Sequence, residues 1–297
     1  MSTPELSIAD LQQILSFTTT LARKAGALIL EGSQAIQSAP AKDINEKKNS
    51  VDLVTEYDVK VEKMVKKEIA ETYPGFKFIG EESYDPAGPP LTDEPTFCVD
   101  PIDGTTNFIH GFPYVCISLG LIYKKRPVLG VIYNPFLDHL TTVDGKGGSF
   151  IRLAGDPSGG GKSEEKVERG RMAHSLRSMG SAALNFAMVA QGGLDLYWPW
   201  DVCAGIVITQ EAGAIITGSS PSFASALSSF YSSQDQPSSS AKLSNDIAPF
   251  EVTPEILTGR KYLVVRAIQG EDGETGLVAQ SRIVQEFYGC VDDVAVE

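Results

Sequence analysis

Basic residues are scarce in this sequence. Lys and Arg number 25 against 38 Asp and Glu, which gives a formal net charge of -13 at pH 7. Nucleic acids and anionic membrane surfaces are bound through a basic face, so this balance excludes both as the main partner. An acidic protein can still bind a phosphate, but it then needs bound cations to do so.

Long apolar runs and paired cysteines are also missing. No stretch is long enough to span a bilayer, and the first residues lack the basic and apolar regions of a signal peptide. The four cysteines include no C-x-x-C pair, which argues against a disulfide framework or a zinc site and favours buried thiols in a reducing compartment. These absences together predict a cytoplasmic protein.

Helical periodicity is clearest near the start of the chain. Apolar residues recur at helical spacing over residues 7–36, and Ser7 with Asp10 has the pattern of a capped N-terminus. A second helix is predicted to begin at Thr55, with Asp58 as its third-position acid, and to end before Pro74-Gly75.

The rest of the chain alternates strands and helices in mixed order. Strands are predicted at 76–79, 96–99, 116–123, 128–133, 195–198 and 262–267, and helices at 181–191, 201–212 and 276–288. Hydrophobic residues make up 42% of the chain, enough for a sizeable core. We therefore predict one domain over residues 1–297, an α+β or mixed α/β layered sandwich, with a flexible serine-rich loop at 219–245.

The segment Asp-Pro-Ile-Asp-Gly-Thr-Thr at residues 100–106 follows a predicted strand and carries the chemistry. A turn here can bring Asp100 and Asp103 to one point, where their oxygens suit a hard cation such as Mg²⁺. The amides of Gly104, Thr105 and Thr106 can then meet a phosphate at a helix start, and the Thr105 hydroxyl can orient a water. The alternative is that the same residues form only a turn and a helix cap.

Four further residues are ambiguous when each is taken alone. Glu81 follows a predicted strand in Gly-Glu-Glu-Ser, and Asp201 follows Trp200 and opens a helix, where it would serve as an N-cap. Lys47 and Asp58 have equally plain interpretations, as a solvated charge and a first-turn acid. Glu81 and Asp201 make the metal interpretation of 100–106 more favourable than the turn interpretation.

Several blocks together resemble the signature of the inositol monophosphatase family. They occur in the family order from Lys47 to about Gly213, and linked blocks are far more specific than any one of them. The blocks are 52–58, 78–83, 99–113, 174–183 and 200–201. The C-terminal segment 259–264 and the serine-rich loop are similar to fungal members, including phosphatase-like proteins of quinate utilisation.

The resemblance implies a five-layer αβαβα fold, usually in a homodimer, and a Mg²⁺-dependent, lithium-sensitive phosphatase. It implies that Glu81, Asp100, the Ile102 carbonyl and Asp103 hold Mg²⁺, with Asp201 completing a second site. Glu81 and Thr105 would position the attacking water, with Asp58 and Lys47 as further catalytic residues. The residues implied to contact the phosphorylated polyol are Asp103, Gly104, Thr105, Thr106, Gly180, Ser181, Ala182 and Asp201.

Two segments depart from the family pattern. Only Trp-Pro-Trp separates Tyr197 from Asp201, and the acid expected seven positions before Asp201 is Leu194, with Asp195 beside it. The segment 151–172 is short and polar. These departures leave three hypotheses open: hydrolysis of inositol monophosphate, hydrolysis of another polyol, sugar or nucleotide phosphate, and a truncated inactive relative. Under the first, Asp103→Asn is predicted to abolish turnover and leave the fold intact.

Overall fold

The computed structural model describes residues 5–38, 47–85, 87–143, 149–152, 178–197, 203–218, 223–224, 252–253, 256–257, 262–270 and 274–288. Its helices are α1 Ile8–Gln37, α2 Lys47–Thr72, α3 Thr105–His110, α4 Ala182–Ala190, α5 Cys203–Glu211 and α6 Gly276–Tyr288. Its strands are β1 Lys77–Gly80, β2 Thr96–Asp103, β3 Cys116–Tyr123, β4 Arg126–Asn134, β5 His139–Val143, β6 Ser149–Arg152, β7 Leu196–Tyr197, β8 Ile215–Thr217 and β9 Leu263–Val265. The proposed loop at 219–245 lies outside this description apart from residues 223–224.

These elements stack in five layers, as the resemblance implied. A six-stranded sheet in the order β1-β2-β3-β4-β5-β6 and a three-stranded sheet in the order β7-β9-β8 alternate with three helical layers: α1 with α2, α4 with α5, and α6. Four apolar clusters fill the four interfaces between layers, because each sheet buries both faces. Their members include Leu21, Val65 and Phe97 in the first, Ile132 and Ile208 in the second, Phe186 and Val264 in the third, and Leu263 and Val284 in the fourth.

The first two helices test the sequence predictions directly. Helix α1 begins after Ser7, whose hydroxyl accepts from the Asp10 amide while the Asp10 carboxylate accepts from the Ser7 amide, so the predicted capping box is confirmed. Helix α2 begins at Lys47, and the predicted start at Thr55 is wrong. Residues 47–54 contain no Gly or Pro to end a helix, so the backbone remains helical through a stretch whose polarity was typical of a loop. Among the described residues, no helix is both long and apolar enough to cross a membrane.

The large sheet places the ends of β1 and β2 side by side. Strand β1 pairs in parallel with β2, whereas each later neighbour is antiparallel. Strand β2 runs on to Asp103, four residues beyond its predicted end, with a register shift between Asp100 and Asp103 where it pairs with β3. A shift of this kind bends a strand and re-aims its side chains, and here it occurs within the predicted metal-binding segment.

Two paired glycines seat helix α5 on the large sheet. Gly120 and Gly130 face each other across β3 and β4, and the start of α5 packs directly on them. A Cβ at Gly120 would lie 2.7 Å from the Cys203 sulfur, and one at Gly130 would touch the Ala204 carbonyl. The missing side chains therefore let a helix approach the sheet backbone closely.

We expect Gly130→Ala to lower the free energy of unfolding by about 1–3 kcal/mol, because the new methyl group must displace the Ala204 backbone. Urea unfolding of the two proteins measures the difference. Gly75→Ala is the matched control, since a Cβ at Gly75 meets nothing within 4 Å. Equal losses in the two variants would contradict close packing of α5 on this pair.

Candidate active site

Glu81 and Asp100 are brought together by the parallel pairing of β1 with β2. Gly80 pairs with Val99, and the Glu81 amide donates to the Val99 carbonyl over 3.0 Å. Glu81 is exposed and Asp100 is half-buried on the neighbouring strand. Two acids that lie 19 positions apart in the sequence thus occupy adjacent strand ends at one edge of the sheet.

The bend in β2 presents three oxygen groups in four residues. The Asp100 carboxylate accepts a hydrogen bond from the Ile102 amide over 3.1 Å, which closes a tight turn. The Ile102 carbonyl in turn accepts from the Thr105 hydroxyl over 3.3 Å. Asp100, the Ile102 carbonyl and Asp103 therefore follow one another around a turn that Thr105 stabilises.

Gly104 makes the transition from β2 into α3. Its φ of +100° lies in the left-handed region, and a Cβ there would sit 2.9 Å from the Tyr114 carbonyl, so only glycine fits without strain. Thr105 and Thr106 are exposed in the first turn of α3, where amides have no acceptor within the helix. The predicted phosphate contacts of Gly104, Thr105 and Thr106 remain predictions, placed by the fold beside the carboxylates.

Asp103 makes a contact that sequence reasoning missed. Its Oδ2 accepts from the Ser181 hydroxyl and the Ala183 amide, both over 2.6 Å, and its Oδ1 accepts from the Ala182 amide over 3.1 Å. The buried Cys116 thiol adds a weaker donor 3.6 Å from Oδ2. Burial raises the pKa of Asp103 above its usual range, and these donors offset only part of that rise. One carboxylate thus joins the end of β2 to the start of α4.

A second group of acids lies on the α2 side of the site. Asp58 is buried, 5% exposed, and burial together with the charges of Glu82, Glu81 and Glu62 raises the pKa of Asp58 to about 8. Glu62, also buried, accepts from the Glu82 amide over 2.8 Å, and Gly80 leaves room for its carboxylate. The spacing of Asp58 and Glu62, one helical turn apart, was a sequence signal that could have identified Glu62.

Gly180 lies beside α3 as well as at the start of α4. Its φ is +80°, and a Cβ there would lie 2.9 Å from the Asn107 amide nitrogen. Asn107 donates to the Met179 carbonyl over 2.7 Å and to the Tyr114 carbonyl over 2.8 Å. The predicted substrate-contact segment around Gly180, Ser181 and Ala182 is therefore held against the carboxylate turn.

Two predicted residues are not described at the side-chain level. Lys47 is the first residue of α2, and nothing is described of its side chain; Asp201 lies outside the described residues. The acid beside the expected position, Asp195, pairs at the surface with Arg266 over 2.7 Å. Leu194 packs partly buried against the apolar cluster between α4, α5 and the small sheet. The Asp195 carboxylate is thus already paired with Arg266, and we expect it not to take the place of the missing acid.

The donors that the described residues offer fit Mg²⁺. Glu81, Asp100, the Ile102 carbonyl and Asp103 supply only hard oxygen atoms, and the acids around Asp58 create a strongly negative environment. Within the part of the chain that the structure describes, no three Asp, Glu, His or Cys side chains converge to form a complete metal cage. Mg²⁺ is ordinarily held by one or two carboxylates plus water and substrate phosphate, so the partial set is the kind it uses.

Comparison with known proteins identifies the family. The inositol monophosphatase family model matches residues 10–155 and 158–248. The chain belongs to this family, whose members are phosphoric monoester hydrolases.

Relatives and solved structures agree with this assignment. Protein qutG of Emericella nidulans is 34% identical, over 94% of this chain and 93% of that protein. Inositol monophosphatase 1 of Saccharomyces cerevisiae is 34% identical, over 95% of this chain and 97% of that protein. The crystal structure of inositol monophosphatase II from Staphylococcus aureus has the same fold, with a TM-score of 0.60 at 23% identity, over 86% of this chain and 91% of that one.

The alignments also show that this chain lacks segments found in a relative. The match to qutG extends over 333 positions, more than the 297 residues present here, so that protein has stretches with no counterpart in this chain. The expected shortening at 151–172 and 198–200 stays a prediction.

Proposed function

We propose that this protein hydrolyses small phosphate monoesters with Mg²⁺ as cofactor, and that inositol monophosphate is its first candidate substrate. The observation that carries the proposal is that Glu81 and Asp100 follow one another at the adjoining ends of β1 and β2, and that β2 continues through Ile102 to Asp103 beside the start of α3. Residues of this kind at this place are what phosphate-ester hydrolysis with a divalent cation requires.

Bound Mg²⁺ would neutralise the phosphate dianion, make a water more acidic and stabilise charge on the leaving oxygen. Glu81, Asp100, Ile102 and Asp103 would hold it, with Asp201 completing a second site. Glu81 and Thr105 would position the attacking water for in-line displacement, with Thr105 fixed by its bond to the Ile102 carbonyl.

The substrate would sit between the first turns of α3 and α4. The amides of Gly104, Thr105 and Thr106 would face the phosphate group. The family resemblance would assign contacts with the polyol to Gly180, Ser181, Ala182 and Asp201, and further catalytic roles to Lys47 and Asp58. A protein with a net charge of -13 can bind the anion in this way, because the cations rather than basic side chains supply the positive charge.

We further propose a cytoplasmic homodimer whose activity is inhibited by lithium, built from one domain over residues 1–297. A sedimentation measurement of the purified chain decides the oligomeric state. The homodimer and the inhibition by lithium are proposed from membership of the family.

A second candidate function is hydrolysis of another polyol, sugar or nucleotide phosphate. The position where an acid was expected to bind inositol hydroxyls holds Leu194, which packs against an apolar cluster, and the adjacent Asp195 is paired with Arg266 at the surface. The pocket that would choose among polyols therefore differs from the family pattern, while the metal-binding residues are retained.

The proposed function predicts phosphate release from inositol monophosphate that EDTA abolishes and added Mg²⁺ restores. Rates are measured by phosphate release across a panel of inositol, sugar and nucleotide phosphates. A higher kcat/KM for a non-inositol substrate would favour the second candidate. If the protein melts cooperatively and binds Mg²⁺ but releases phosphate from no substrate of the panel, it is an inactive relative. If it shows no cooperative melting transition, it is a truncated, poorly folded product.

A further inference from the structure

The two carboxylate oxygens of Asp103 accept different numbers of hydrogen bonds. Oδ2 accepts from the Ser181 hydroxyl and the Ala183 amide at 2.6 Å each, with the Cys116 thiol at 3.6 Å. Among the described residues, Oδ1 accepts from the Ala182 amide alone, at 3.1 Å. An ionised carboxylate offers about two lone-pair directions on each oxygen. These contacts take up the lone pairs of Oδ2 and leave Oδ1 with one lone pair for a further partner.

The hydrogen bonds of Ser181 fix the direction in which its hydroxyl donates to Asp103. It is buried, 1% exposed, and its Oγ accepts from the Leu184 amide over 3.3 Å while donating to Asp103. The hydroxyl thus caps α4 and binds the carboxylate at once, so its proton is directed at Oδ2. The Cys116 sulfur, 3.7 Å from Ser181 Oγ, closes the buried side of the contact.

We propose that Ser181 is a positioning residue that acts through Asp103, fixing the carboxylate so that Oδ1 stays available to Mg²⁺. This inference rests on the proposed function, and it replaces direct substrate contact as the role of the Ser181 hydroxyl. The two roles differ in consequence: loss of a substrate contact changes the KM for one substrate relative to another, whereas loss of a positioning contact weakens Mg²⁺ binding equally for all.

The test measures Mg²⁺ affinity without substrate, by isothermal titration calorimetry on the full chain. Ser181→Ala removes the hydroxyl, and we expect its Mg²⁺ dissociation constant to rise about tenfold or more, as partners that orient metal ligands commonly show. Ser181→Gly is the second variant, because glycine is tolerated at a helix N-cap and keeps α4 intact if alanine does not. Ser181→Thr retains the hydroxyl and is expected to restore most of the affinity.

Ser281→Ala is the matched control. Ser281 is also buried, and its hydroxyl donates to the Leu277 carbonyl in α6, in the outermost layer; its Mg²⁺ affinity should equal that of the wild type. In steady-state assays the ratio of KM values for two panel substrates should be unchanged in Ser181→Ala, while the Mg²⁺ concentration for half-maximal rate rises.

Each outcome decides between roles. Wild-type affinity in both Ser181→Ala and Ser181→Gly would overturn the positioning role, as would a changed KM ratio between substrates. Failure of Ser181→Thr to recover affinity would also count against it. Absence of Mg²⁺ binding by the wild-type chain would instead overturn the proposed function, on which the inference depends.

Discussion

Asp103→Asn is expected to reduce kcat/KM by about a thousandfold, because the amide removes one negative charge from the metal-binding group and offers a single oxygen. Phosphate release at saturating Mg²⁺ measures the loss. The fold places Asp103 at the point where β2, α3 and α4 meet, so no neighbouring acid can replace it without moving a strand end. Turnover within about tenfold of the wild type would contradict the metal-binding role of Asp103.

The sequence alone predicted that Asp103→Asn would abolish turnover and leave the fold intact. The structure predicts instead that this variant also loses stability. Both carboxylate oxygens of Asp103 accept hydrogen bonds from α4. Asparagine has one acceptor and one donor group, so its NH₂ must face an amide or hydroxyl that also donates. We therefore expect a loss of about 1–3 kcal/mol in the free energy of unfolding, measured by urea denaturation in EDTA.

Asp195→Asn separates this effect from a general loss of charge. Asp195 is exposed and pairs with Arg266, and a surface pair of this kind contributes little to stability. Wild-type turnover and wild-type stability are expected. A large loss of turnover in Asp195→Asn would show that this acid does serve the substrate after all.

The sequence predicted those features of the fold that depend on residues close to one another along the chain. The capping box at Ser7 and Asp10 was visible because both partners lie within one helical turn. Residues 100–104 predict a turn because Asp, Pro and Gly are turn formers. The turn is present, but pairing with β3 also keeps Asp103 in β2. The short strands β5, β6 and β8 escaped prediction because each is formed by pairing with another strand rather than by a local signal, the partners being β4, β5 and β9 in turn.

At the site, too, the sequence predicted local features but not contacts between distant residues. Asp103 and Ser181 were both named from the sequence, but their contact joins residues 78 positions apart, and only the packing of α4 against the large sheet creates it. Cys116 carried no signal at all, because an isolated cysteine in an apolar strand is typical of core packing. Chemistry-bearing residues were thus predictable by type, and their contacts were not.

Asp58→Asn is expected to stabilise the metal-free protein at pH 8 by several kcal/mol, because burial and neighbouring charge disfavour the ionised carboxylate in the folded state. The folded pKa of Asp58, about 8 against the ordinary 3.8, means that the folded state disfavours the ionised form. Stability therefore falls as the pH rises from about 4 to about 8, where the unfolded chain releases the proton and the folded protein must retain it or bury a charge. Asparagine imitates the protonated carboxyl and should be free of this loss.

The pH dependence makes this prediction specific. In EDTA, the difference in unfolding free energy between Asp58→Asn and the wild type should be near zero at pH 4 and grow steadily towards pH 8, because Glu62, Glu81 and Glu82 face the same carboxyl. Saturating Mg²⁺ should reduce the difference at pH 8, since a cation held by Glu81 offsets part of the repulsion. A difference that is constant from pH 4 to pH 8 would show that burial and neighbouring charge are not what Asp58 experiences. If the pH dependence is found, the acids around Asp58 lower the free energy of unfolding in the absence of metal. A bound cation would then restore part of that stability by reducing the repulsion among them.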